Sequence, residues 1–128
     1  MNLNTHLLRQ IHPNYVKDGR VSSQAFRPTP KDEKMLSVDN GDLISPDLSY
    51  ERFTQQMNCK SVGVMVILKK ECDDQILPIH EDMDPYPEHC SIDFSGITNK
   101  IIEMKAKILR SFAQKRGWLY QEEKTSQV

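Results

Sequence analysis

Apolar positions along the chain follow the period of a strand in some segments and that of a helix in others. The run SVGVMVIL, Ser61–Leu68, is rich in valine and apolar on both faces, which predicts an internal strand. Weaker alternation predicts three further short strands, at Val21–Phe26, Met35–Val38 and Cys90–Phe94.

Two other segments have the spacing of amphipathic helices. Pro46–Met57 follows Ser45, which can cap it, and Asn99–Arg116 ends at Gly117, a typical stop residue. The second helix has a wide apolar face, formed by Ile101, Ile102, Ile108, Leu109, Phe112 and Ala113. The pattern predicts an α+β fold, a small mixed sheet with two main helices packed on it. We expect one domain, residues 1–120, followed by a flexible polar tail, residues 121–128.

Length, charge and cysteine content narrow the class of protein. A chain of 128 residues suits one domain, and a net charge of −1 argues against whole-protein attraction to nucleic acid or anionic membranes. The longest apolar run, Val62–Leu68, is far shorter than the roughly 20 residues of a membrane span. Three cysteines without a CxxC pair fit a reducing compartment. We therefore expect a cytoplasmic protein without membrane association, and no pattern indicates a cofactor or a metal.

A dense polar block between His12 and Glu33 is the first candidate for function. Its prolines disfavour a helix, and Phe26 is expected to fix the segment to the core. Arg20 and Arg27 flank the predicted strand and can each hold a carboxylate or a phosphate. The side chains that we expect to contact a partner are Arg20, Gln24, Arg27, Lys31, Asp32 and Glu33.

This block also carries a resemblance. The stretch HPNYVKDGRVSSQAFRPTPKDEKMLSV, His12–Val38, and the stretch DPYPEHCSIDFSG, Asp84–Gly96, are similar to two blocks shared by a family of small bacterial proteins of uncharacterised function. The resemblance implies a bacterial, cytoplasmic protein and adds weight to both blocks. It implies no activity, cofactor or fold.

The second candidate is an acidic stretch around IHEDMDPYPEHC, Ile79–Cys90. Eight acids and no lysine or arginine lie between Glu71 and Asp93. Their spacing matches neither HExxH nor an EF-hand loop, so a solvated acidic loop is favoured over a metal site or an acidic docking surface. His89 stands at the entry to a predicted strand, where it could meet residues of the first block. The candidate catalytic set is His12, Asp18, Arg20, Ser23 and His89.

The last helix is the third candidate. It carries six basic residues against the single acid Glu103, a charge that could contact nucleic acid phosphates or simply form an outer face in solvent. Lys105 and Arg116 fall near the middle of the apolar arc, and we expect them to extend to an edge.

The sequence leaves enzymatic activity open and favours a non-enzymatic role. The leading hypothesis is a protein-interaction module, an accessory subunit of a bacterial multi-protein system, which presents the Arg20–Glu33 loop to a partner. The alternative is a small enzyme or ligand-binding domain with a polar pocket formed by His12, Arg20, Ser23 and His89. A third reading is weak nucleic-acid binding through the C-terminal helix.

Overall fold

The computed structural model describes residues 1–29 and 33–122. Lys31 and Asp32, two of the expected partner-binding residues, lie outside these ranges, as do residues 123–128 of the predicted tail.

A six-stranded sheet forms the centre of the molecule. Its strand order is β6-β7-β4-β1-β5-β8, every pairing in it is antiparallel, and β2 and β3 form a separate hairpin. The predicted α+β class is confirmed. The strands are β1 (His6–Ile11), β2 (Val16–Lys17), β3 (Arg20–Val21), β4 (Met35–Asn40), β5 (Gly63–Leu68), β6 (Ile79–His80), β7 (His89–Asp93) and β8 (Tyr120–Gln121). The helices are α1 (Pro46–Glu51), α2 (Lys69–Asp74) and α3 (Asn99–Arg116), and single 3-10 turns lie at Pro13–Tyr15 and Ser23–Phe26.

The two faces of the sheet are covered by different helices. In β5, Met65 and Ile67 join the large core under α3, whereas Val64 and Val66 form a smaller cluster with Ile44 beside α1. This double burial explains why the strand is apolar on both faces.

Helix α3 has the predicted bounds. The Thr98 hydroxyl accepts a hydrogen bond from the Ile101 amide, and Gly117, with φ 87°, follows the last turn. Phe112, expected on the apolar face, is 39% exposed, because the buried stripe runs along Ile102, Ala106, Leu109 and Ala113.

Helix α1 is shorter than the predicted Pro46–Met57. It is continued by a wider π turn, Arg52–Gln56, and the Ser45 side chain makes no capping hydrogen bond. Met57, the last residue of the predicted helix, is exposed.

The predicted strand at Val21–Phe26 is wrong beyond its first residue. Asp18 and Gly19 have φ values of 52° and 76°, so they close the hairpin between β2 and β3, and the chain then turns into the 3-10 segment Ser23–Phe26. Phe26 is nevertheless fully buried, as expected.

Two cations on α3 have polar partners inside the fold. Lys105 donates to the Gln75 carbonyl, and Arg116 forms a two-pronged ion pair with Glu71 at 2.7 and 3.1 Å. Glu71 is 4% exposed and also accepts a hydrogen bond from the Leu68 amide, so one carboxylate links α2, β5 and α3.

The end of the described chain pairs with the sheet. Gln121 of β8 lies opposite Gly63, and the Glu122 amide donates to the Val62 carbonyl. None of the helices within residues 1–29 and 33–122 has the length and apolar character that crossing a membrane requires.

Candidate functional site

The 3-10 segment Ser23–Phe26 is held rigidly against α3 and the sheet. Ala25 and Phe26 are buried, and the Ala25 carbonyl accepts a 2.8 Å hydrogen bond from Arg9 Nε. At the start of the segment the Val21 amide donates to Gln114 Oε1, and the Val21 carbonyl accepts from Arg110 Nε at 2.7 Å. Both main-chain groups of Val21 are therefore bound by side chains of α3.

The outer side of this segment borders a groove that runs beside the start of α3. This α3 groove has a volume of about 910 Å³. It is lined by Tyr15, Gln24, Arg27, Pro28, Thr29, Glu33, Lys34, Asn99, Ile102 and Glu103. Three of the expected partner-binding residues, Gln24, Arg27 and Glu33, thus share one concave surface.

An ion pair spans the α3 groove. Arg27 Nη1 lies 3.2 Å from Glu103 Oε1, and the two side chains are 29% and 54% exposed. Lys34 Nζ donates to the Ile97 carbonyl at 3.1 Å. Arg20, another expected contact, is exposed in the β2–β3 hairpin and does not line the groove.

The predicted catalytic set is divided between two places. His12 accepts a hydrogen bond from the Asn14 amide and caps the first 3-10 turn, while Asp18 and Arg20 lie exposed in the hairpin. Ser23 begins the neighbouring 3-10 segment. His89 lies elsewhere. It is opposite Asp39 of β4, and Asp39 is in turn opposite Leu8, near the start of β1. His12 follows the other end of β1, so the two histidines are separated along this strand.

His89 has its own polar partners on the α1 face of the sheet. His89 Nε2 lies 3.1 Å from Ser37 Oγ, and His89 Nδ1 lies 2.6 Å from Asp82 Oδ1. The second oxygen of Asp82 accepts a 2.6 Å hydrogen bond from Ser91. Ser37, Asp82, His89 and Ser91 are called the His89 cluster below.

The sheet register explains why these side chains meet. Ser37 lies opposite Ser91 and Asp39 lies opposite His89, so Ser37 and His89 are diagonal neighbours on the same face. Burial acts to raise the pKa of Asp82, but hydrogen bonds from Ser91 and His89 outweigh this effect and lower it. Asp82 is therefore a carboxylate at neutral pH.

An ionic network supports the loop that carries Asp82. Arg52 bridges Asp39, at 3.3 Å, and Glu88, at 2.9 Å, and its guanidinium carbon lies 3.5 Å from the centre of the Tyr86 ring. Tyr86 in turn packs edge-on against His89 with ring centres 5.7 Å apart. Burial raises the pKa of Tyr86 to about 12, and the Asp39 carboxylate adds to this effect.

The remaining candidates have simpler placements. Lys105, Arg110 and Arg116 of α3 bind groups within the fold, which accounts for half of the basic charge that suggested nucleic acid. Within the described ranges no group of three His, Cys, Asp or Glu side chains is placed to hold a metal ion. In the acidic stretch, Asp93 instead binds His80 at 2.8 Å.

Ser37 is a site residue that the sequence reading did not single out. It belongs to the motif LSV, in which Leu36 and Val38 face the large core and Ser37 faces the other side. The alternation of apolar and polar residues in this strand predicts that Ser37 faces away from the core. It does not predict that His89 is the partner of Ser37.

Comparison with known proteins adds no assignment. No protein-family model matches this chain, and the searches of curated proteins and of solved structures find no match. The resemblance to a bacterial family therefore stays a prediction.

Proposed function

We propose that this chain is a protein-interaction module, an accessory subunit of a bacterial multi-protein system, that binds a partner through the Arg20–Glu33 segment. The observation that carries the proposal is the α3 groove, where polar side chains of this segment surround a concave surface of about 910 Å³. The cytoplasm is the expected location, because all three cysteines are free thiols and the resembling family is bacterial.

The rigid attachment of the segment favours binding. Its main chain accepts hydrogen bonds from, or donates them to, the side chains of Arg9, Arg110 and Gln114. Its two buried residues, Ala25 and Phe26, pack in the core. A surface that is ordered before binding loses little conformational entropy when a partner docks. The loss of conformational entropy is smallest for Gln24 and Arg27, which lie next to the two buried side chains.

The chemistry of the groove fits an extended peptide segment of the partner. Tyr15 and Ile102 offer apolar contact, and Arg27 and Glu33 offer charges of both signs. The exposed Arg27–Glu103 pair contributes little to stability, roughly 0–1 kcal/mol. Arg27 can therefore exchange Glu103 for a carboxylate of the partner at small cost.

Site-directed photo-crosslinking in the host tests this proposal. A photoreactive amino acid at Gln24 should give a discrete crosslinked product, and the charge reversal Arg27→Glu should abolish it. Gln55, exposed in the π turn, is the matched control position, and Lys60→Glu is the matched charge reversal. Equal crosslinking from Gln24 and Gln55, or a product that survives Arg27→Glu, would contradict the proposal.

A further inference from the structure

The His89 cluster has the connectivity of a nucleophilic serine site. A serine hydroxyl contacts one imidazole nitrogen, Ser37 Oγ to His89 Nε2, and a carboxylate contacts the other, Asp82 to His89 Nδ1. A carboxylate at Nδ1 holds the proton on that nitrogen and leaves Nε2 as the acceptor for the serine proton. The hydrogen bond from Ser91 fixes the Asp82 carboxylate in turn.

Accessibility also fits a reacting group. Ser37 is exposed, whereas the His89 side chain is 12% exposed and is packed against Tyr86. The nucleophile is thus open to solvent and its base is held in place, which is the division of roles that covalent catalysis needs.

A small cavity adjoins the two residues. Its volume is about 40 Å³, and its wall includes Leu8, Phe53 and Tyr86 together with Ser37 and His89. This volume has room for a group as small as acetyl beside Ser37.

The main chain of the nucleophile is held from the α3 face of the sheet, because Arg9 Nη1 donates a 2.9 Å hydrogen bond to the Ser37 carbonyl while Arg9 Nε donates to the Ala25 carbonyl.

We propose that Ser37, His89 and Asp82 form an acyl-transfer site for activated esters of short acids, acetyl esters being the class that fits the cavity. Ser37 Oγ bonds to the acyl carbon while its proton passes to His89 Nε2. The bond to the leaving oxygen breaks, and that oxygen takes the proton. Water then attacks the acyl-serine through the same base, which releases the acid and returns the proton to Ser37.

This site is independent of the α3 groove, because Ser37 and His89 lie on the face of the sheet opposite α3. The two proposals can therefore fail separately.

Labelling with a fluorophosphonate tests the inference on the intact protein. The Ser37 oxygen would bond to phosphorus with loss of fluoride, and peptide mass spectrometry would place one adduct on Ser37. His89→Gln should slow labelling by about 100-fold or more, the usual contribution of a general base. Ser37→Ala should abolish it, and Ser111→Ala, which changes an exposed serine of α3, should label at the wild-type rate.

Trp118 emission shows whether each variant is folded. No adduct on the native wild-type protein, or an adduct on another serine, would overturn the inference. Labelling of folded His89→Gln at the wild-type rate would overturn it as well. Faster acetyl release from p-nitrophenyl acetate by wild type than by Ser37→Ala would support it, and equal rates would count against it.

Discussion

Replacement of Glu71 by alanine removes an ion pair and a helix cap at once, and we expect it to destabilise the fold by about 3 kcal/mol. Removing one partner of a buried pair costs about 3–5 kcal/mol. The lower value applies here, because the Arg116 side chain is 30% exposed and can turn towards water, whereas the Glu71 side chain is 6% exposed. The Leu68 amide also loses its acceptor. For a domain of this length the loss corresponds to a fall in melting temperature of about 10 °C.

Urea unfolding followed by Trp118 fluorescence measures this loss, since Trp118 is the single tryptophan and packs against the large core. The matched control is Asp73→Ala on the same helix, which removes the exposed Lys69–Asp73 pair. That change should cost about 0.5 kcal/mol or less.

A second variant separates the charge from the cap. Glu71→Gln keeps an oxygen for the Leu68 amide but loses the ion pair, so its cost should lie between those of Glu71→Ala and Asp73→Ala. Arg116→Met combined with Glu71→Ala should show a coupling of about 2 kcal/mol. If Glu71→Ala costs no more than the control, or if the double variant is additive, the assignment of a stabilising buried pair is refuted.

Three other measurements check different parts of the structure. Ellman's reagent should react at once with the half-exposed Cys59 alone, because burial raises the pKa of the Cys72 and Cys90 thiols to about 12. Immediate reaction of all three cysteines would contradict the burial of Cys72 and Cys90. A hydrogen bond from His80 lowers the pKa of Asp93 from 3.8 to about 2, so its stabilisation is present above pH 3.8 and disappears as the pH falls towards 2. Asp93→Asn should therefore be less stable than wild type at about pH 6 and equal to it at about pH 2, and an equal deficit at both would argue against the shift. Gly63→Ala places a methyl group 2.8 Å from the Trp118 ring and 2.5 Å from a backbone oxygen of β8, so it should cost about 1–3 kcal/mol and shift Trp118 emission; unchanged emission would refute the close contact.

The hydrophobic pattern by itself predicted two elements of the fold correctly. The valine-rich strand and the C-terminal helix follow from local periodicity, since each buries a continuous stripe of its own residues. Ser61–Leu68 was therefore located within two residues, and the bounds of α3 were correct.

The local pattern gave a wrong prediction where a side chain forms hydrogen bonds with the main chain that are incompatible with a strand. The alternation of Val21–Phe26 resembles that of a strand, but Ser22 Oγ accepts a hydrogen bond from the Gln24 amide and turns the chain into a 3-10 segment. Gln114 and Arg110 then bind the main chain of Val21 from α3, far away in sequence. Phe26 reaches the core in either conformation, which is why its burial was foreseeable.

In the two candidate sites, too, the sequence predicted some of the residues, whereas the tertiary structure decided which residues are neighbours. The sequence singled out His89 as a strand-entry histidine, and Gln24 and Arg27 as residues that contact a partner. Ser37 lies 52 residues before His89, and only the register between β4 and β7 makes them neighbours. That register depends on the packing of both strands under α3, because a shift by one residue would turn their apolar side chains away from the core. The partners of His89 were therefore decided by the tertiary structure.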